Sequence, residues 1–137
     1  MSNKFVPYRP NWDLVGKLAI PIIIEKQVSI ANSLIDTGVT YTLPANNYYR
    51  VTAYQKYNNN APATIAIVNN QNADPLVDTG VYAITETPYP ENAYMRALSA
   101  STIVKTGSTA ETLYVFAKAR GSTAKNNIIA LVIEPLN

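Results

Sequence analysis

The sequence predicts an all-β fold: a β-sandwich of jelly-roll type with about 8–10 short strands, preceded by an extended N-terminal arm. Three observations predict it. Short runs rich in β-branched and aromatic residues recur along the chain, clusters of Asn, Pro, Gly and Ser separate them, and no segment sustains a helical period. The chain has 137 residues, 47% of them hydrophobic, enough for one domain with its own core.

Residues 1–17 read as the arm. Pro7, Pro10 and Gly16 disfavour helix, and the segment shows little alternation. It carries Phe5, Tyr8, Arg9 and Trp12, the only tryptophan. Trp12 either folds back onto the core or docks, with the arm, on a neighbouring subunit. The arm cannot bury its aromatic side chains through regular structure of its own, so Phe5, Tyr8, Arg9 and Trp12 are its candidate interface residues.

Residues 18–137 read as one β domain. Leu18–Ile24 is apolar on both faces, with Pro21 at an edge or bulge. Glu25-Lys26-Gln27 is expected to break the chain before a second strand, Val28–Leu34. Val39–Leu43, Tyr48–Tyr57, Ala63–Asn69, Val81–Thr87, Ala93–Ala100, Thr102–Lys105, Thr112–Arg120 and Ile128–Glu134 complete the set. A short helical turn near Glu91–Leu98 is the alternative at that point.

Two strands declare their faces. In Tyr48–Tyr57, Tyr49, Val51 and Ala53 form the core side, and Tyr48, Arg50, Thr52, Tyr54 and Lys56 form a ladder of tyrosines and cations suited to solvent or a partner. In Thr112–Arg120, Leu113, Val115, Ala117 and Ala119 form one apolar face. The other holds Tyr114 and Phe116, too apolar for plain solvent, and is either a second core face or an interface. The candidate sheet-face contacts are therefore Tyr48, Arg50, Tyr54, Tyr114 and Phe116.

An internal repeat runs through the domain, spanning residues 34–69 and 76–119. Leu34-Ile35-Asp36-Thr37-Gly38-Val39 is matched by Leu76-Val77-Asp78-Thr79-Gly80-Val81. Each copy then reaches a proline (Pro44, Pro88) and an Asn-x-Tyr-x-Arg pattern (Asn46, Tyr48, Arg50; Asn92, Tyr94, Arg96). Each ends in a strand opening on threonine, at Thr64 and Thr112. Duplication of a β-unit and chance likeness between strands with similar turns both fit. Asp-Thr-Gly itself reads as a turn: the carboxylate accepts local N–H groups and glycine takes positive φ.

Composition excludes much chemistry. With no Cys and no His, disulfides, thiolate nucleophiles, Ser-His-Asp sites and the commonest transition-metal ligands are all absent. Net charge is +2 without a basic stripe, so nucleic acid is not an expected partner. Charged residues make up only 15%, against about 25% in typical domains. Asn, Thr, Ser and Tyr must supply the surface, and such a surface packs well against protein or sugar. No signal peptide is read at the N-terminus, and the longest apolar run, Leu18–Ile24, is far shorter than a membrane span. No cofactor and no membrane partner are expected.

The doubled Asp-Thr-Gly resembles the active-site signature of aspartic proteases, which would make Asp36 and Asp78 a proton-sharing pair. The copies lie too close in sequence to leave a lobe for each. Valine follows both glycines where that family usually has Ala, Ser or Thr, and no bracing apolar-apolar-Gly segment follows. Two structural turns are the preferred reading, and the chain is not expected to be an enzyme.

The irregular arm 2–17, the Tyr-Asn-Thr surface, the lack of Cys and His, and phrases such as Val39-Thr40-Tyr41-Thr42-Leu43-Pro44-Ala45-Asn46 and Tyr49-Arg50-Val51-Thr52-Ala53 carry a resemblance. The chain resembles small bacteriophage virion proteins, of the capsid decoration (cement) and short head-fibre types. The resemblance implies a non-enzymatic protein, a homotrimer, made in the host cytoplasm and seated on the capsid surface. It would bind the major capsid protein or another virion protein, and its own copies, by buried area. A carbohydrate- or receptor-binding β-sandwich of a phage fibre or tail is the rival, with Tyr48, Tyr54 and Tyr57 as its aromatics.

Overall fold

Eight strands form, some from alternating apolar and polar residues and others, β4 and β8, from runs apolar on both faces: β1 (Ile22–Ile30), β2 (Ile35–Leu43), β3 (Tyr48–Lys56), β4 (Ala63–Val68), β5 (Val81–Glu86), β6 (Ala97–Lys105), β7 (Glu111–Ala119) and β8 (Lys125–Pro135). The computed structural model describes residues 20–56, 63–72, 80–86, 97–119 and 125–136. The expected arm, with Phe5, Tyr8, Arg9 and Trp12, lies outside them, as do Tyr57, Asp78 and the segment 87–96 with its alternative helical turn.

The strands form two four-stranded sheets, ordered β1-β8-β3-β6 (sheet A) and β2-β7-β4-β5 (sheet B). Every paired neighbour is antiparallel. Of the consecutive strands only β4 and β5 are paired; every other step along the chain crosses from one sheet to the other. This is the strand order of a jelly roll, the fold class that the sequence predicts.

The inner faces supply the core. Val51 and Ala53 of β3 and Ile129, Leu131 and Ile133 of β8 meet Ile65 and Ile67 of β4 and Leu113, Val115 and Ala117 of β7, all fully buried. Burial of each large aliphatic side chain is worth about 1.5–3 kcal/mol. A buried polar pair, Gln55 and Asn127, interrupts this interior. Gln55 on β3 is fully buried and donates from Nε2 to Asn127 Oδ1 of β8 (3.1 Å), while its Oε1 meets no partner among the described residues.

Three expectations from the sequence are corrected. Glu25-Lys26-Gln27 does not break a strand: all nine residues of β1 pair with β8, Glu25 and Gln27 pointing outward between the inward Ile24 and Val28. Polar residues are no obstacle there, because β1 is an edge strand with one open side. The stretch 97–105 is likewise one strand, with Ser101 kept inside it by an outward hydrogen bond to Thr52 Oγ1 (2.8 Å). Finally, Asp36-Thr37-Gly38 is a β-bulge inside β2 and not a turn between strands. The register against β7 slips between Asp36 and Thr40, and Gly38 takes φ +81°. The local chemistry is the kind expected of a turn: Asp36 Oδ1 accepts from Gly38 N (2.9 Å).

The two stretches likened in the sequence, 34–69 and 76–119, follow matching paths among the described residues. The first supplies β2, β3 and β4, and the second β5, β6 and β7; each runs from sheet B to sheet A and back. β2 and β5 end up as the two edges of sheet B, and β4 and β7 as its paired centre.

Candidate interaction face

Two outward faces contain the sequence-predicted contact residues, and they differ in kind. On sheet B, cross-strand register places Asp36, Phe116, Ala66 and Ile84 in one row and Thr40, Tyr114, Val68 and Val81 in the next. Ala66 and Val68 are fully buried and Phe116 is only 6% exposed, packed with Leu34, Val81 and the half-buried Tyr114. Of the two readings of the Tyr114/Phe116 face, the structure takes the second core face for Phe116. It leaves that side chain little surface to offer a partner.

The Asp-Thr-Gly bulge sits beside this cluster, and its polar atoms are engaged. Asp36 Oδ2 accepts from Gln71 Nε2 (3.0 Å) in the connection after β4. Thr37 Oγ1 is buried, donates to Val115 O (2.7 Å) and accepts from Val39 N (3.2 Å). Asp36 thus has both oxygens occupied in holding the bulge.

Sheet A is different. Its outward residues line up in rows from β1 to β6: Ile23, Val132, Thr52 and Ser101; then Glu25, Ala130, Tyr54 and Ser99; then Gln27, Ile128, Lys56 and Ala97. A further row holds Glu134, Arg50 and Ile103, and beyond it Tyr48 faces Lys105. Lys105 Nζ stands 5.5 Å from the centre of the Tyr48 ring, a cation–π contact. Among the described residues eight large hydrophobic side chains are exposed, and five of them (Ile23, Tyr48, Tyr54, Ile103 and Ile128) are on this face. That concentration makes this the candidate interaction face, since singly scattered exposed hydrophobics carry no such meaning.

The face has relief. Ile23, Tyr54, Ala97, Ile128, Ala130 and Val132, with Glu25 and Lys56, line an open depression of about 350 Å³. Tyr54 stands above small neighbours: its cross-strand partners are Ala130 on one side and Ser99 on the other. Tyr48, Arg50 and Tyr54, picked out from the sequence, therefore share one exposed face. Ile23, Ile128, Ala130 and Val132 were not picked out. The signal was present: 128–133 reads Ile-Ile-Ala-Leu-Val-Ile, apolar on both faces, and in an antiparallel sandwich one of those faces must point outward.

No helix of the described residues is long and apolar enough to cross a membrane. Among the described residues no group of three or more Asp or Glu could hold a metal ion.

No protein-family model and no curated protein matches the chain. Among solved structures it is similar to a chain of the Bacillus endospore appendages, described as "a novel family of disulfide-linked pili". The identity is 14%, over 88% of this chain and 94% of that one, with a TM-score of 0.34. A likeness of that size supports neither a shared fold nor a shared role, and this chain has no cysteine with which to form a disulfide. None of these comparisons points to a bacteriophage.

Proposed function

We propose that this chain is a non-enzymatic structural protein of a multi-copy assembly, a virion surface being the kind its sequence resembles. It holds to other protein through the outward face of sheet A. The carrying observation is the gathering of Ile23, Tyr48, Tyr54, Ile103 and Ile128 on one face of a rigid sheet. The fold class is consistent with this reading, because jelly rolls recur in capsid and lectin domains, though fold alone assigns no function. Residues 1–17, with Phe5, Tyr8, Arg9 and Trp12, are proposed to attach the domain to its particle.

Carbohydrate binding is the rival. Tyr48 and Tyr54 are both exposed on β3, but six residues of strand separate them by about 20 Å. Arg50 and Thr52 lie between them on the same face, so the two rings do not make one stacking platform.

The test is stoichiometry. A structural protein is found in purified particles in fixed proportion to their major component, and deletion of residues 2–17 leaves a domain that melts cooperatively but no longer joins them. Binding of the isolated protein to a glycan array, with no particle association, would overturn the proposal.

A further inference from the structure

We infer that the outward face of sheet A is complementary to itself. It pairs with the same face of a second copy across a two-fold axis running parallel to the strands, each copy's Tyr54 entering the depression over the partner's Ala130. The inference rests on the structural reading above and specifies its partner.

Charge chooses the axis. The β1/β8 half of the face carries Glu25 and Glu134, and the β3/β6 half carries Arg50, Lys56 and Lys105. Two such faces can be brought together about a two-fold axis across the strands or along them. An axis across the strands lays β1 over the partner's β1, setting carboxylate half on carboxylate half and cation half on cation half. An axis along the strands lays the acidic half over the partner's basic half, which is favourable on both sides.

Register then fixes what meets what. The line midway between β8 and β3 is the centre of a four-stranded sheet ordered β1-β8-β3-β6. A two-fold axis above that line exchanges the cross-strand partners of β8 and β3. Tyr54 is paired with Ala130, and Arg50 with Glu134. In the dimer, Tyr54 therefore lies over the partner's Ala130, and Arg50 over the partner's Glu134. The bulky residue meets the small one, twice, by symmetry. A tyrosine anchor seated in a pocket is the usual form of an interface hot spot.

The area is adequate. Four strands at a spacing of about 4.8 Å and nine residues at about 3.3 Å give a footprint of about 570 Å² per copy, or about 1,100 Å² for the pair, at the lower end of specific interfaces. A three-fold ring of the kind implied by the sequence resemblance joins unlike patches, whereas a face complementary to itself closes as a pair.

The experiment uses the full chain and its charge-reversed variants. Wild type should sediment as a dimer at about 100 μM, and Arg50→Glu or Glu134→Arg should each weaken association about tenfold or more. Each variant alone opposes like charges across the axis. An equimolar mixture of the two restores both opposite pairs and should regain the dimer. Ala130→Phe, which fills the depression, should abolish pairing while leaving the circular dichroism spectrum and melting unchanged. A monomeric wild type, or a trimer indifferent to these substitutions, or a mixture no tighter than its parts, would each overturn the inference. If the protein is a fixed component of particles yet shows any of those results, the pairing fails while the structural reading stands.

Discussion

Lys26 of β1 lays its side chain across Gly38 of β2, so that a Cβ built on Gly38 would lie 2.6 Å from Lys26 Nζ. The contact joins the edge strand of sheet A to the bulge of sheet B. Two costs would follow Gly38→Ala: the clash with Lys26 and the φ of +81°. The clash is with the far end of a flexible side chain, which can swing away, whereas the backbone term is fixed at about 1–2 kcal/mol. We expect Gly38→Ala to lose about that much stability. Adding Lys26→Ala should recover less than about 0.5 kcal/mol of it in a double-mutant cycle followed by urea unfolding. Recovery of most of the loss would show that the glycine serves the lysine and not the bulge.

Thr37 carries two hydrogen bonds on one buried hydroxyl, to Val115 O and from Val39 N. Thr37→Val preserves shape and removes both, leaving a buried N–H and a buried carbonyl short of a partner. The expected loss is about 1–3 kcal/mol, read from the denaturation midpoint. Thr42, whose hydroxyl meets Thr112 Oγ1 in an exposed pair, provides the control; Thr42→Val should cost less than about 0.5 kcal/mol.

Asp36 accepts from Gly38 N and from Gln71 Nε2. Asp36→Asn keeps an acceptor for the first and loses the second, so stability should fall by at most about 1–2 kcal/mol, with assembly intact. Peptide cleavage with an acid optimum that disappears in this variant would restore the aspartic protease reading, and no such activity is expected.

Tyr82 on β5 donates its phenol proton to Glu111 Oε2 at the start of β7. Burial, and then the hydrogen bond and negative charge of Glu111, hold its pKa above the ordinary tyrosine value, with a hydrogen bond from Asn69 pulling the other way. An unfolded chain begins to release this proton near pH ~10 while the folded chain keeps it. Above that pH the folded state binds more protons than the unfolded one, so its stability must fall as pH rises. Tyr82→Phe should therefore flatten the decline in melting temperature between about pH 9 and about pH 11. An unchanged slope would place the alkaline sensitivity in other residues.

The fold class was legible because the strand signals are local. Tyr48 to Lys56 alternates, and Tyr49, Val51 and Ala53 are buried as that pattern requires, although Thr52 on the outward side and the polar Gln55 on the inward side are buried as well. The strand limits failed where a pairing partner decides. Nothing near Glu25 says that Ala130 will pair with it. Asp-Thr-Gly has the same composition in a turn and in a bulge, and only β7, seventy or more residues later, makes it a bulge. The site was half legible for the same reason. Tyr54 advertises itself, but Ala130 becomes informative only once register sets it beside Tyr54.

The strand order also sets a timetable. Among the described strands β1 is made first, and β8, made last, is its sole partner in sheet A; β8 also stands between β1 and β3. During synthesis, then, Ile22, Ile24 and Ile30 must wait for their partners Ile133, Leu131 and Lys125 in β8 to leave the ribosome. Sheet B can assemble from β2, β4, β5 and β7 before β8 exists, while sheet A cannot close. Closure of sheet A thus depends on a strand made after the seven others described. A ribosome stalled before residue 125 would hold a half-built sandwich with its aggregation-prone edge open to every other copy nearby.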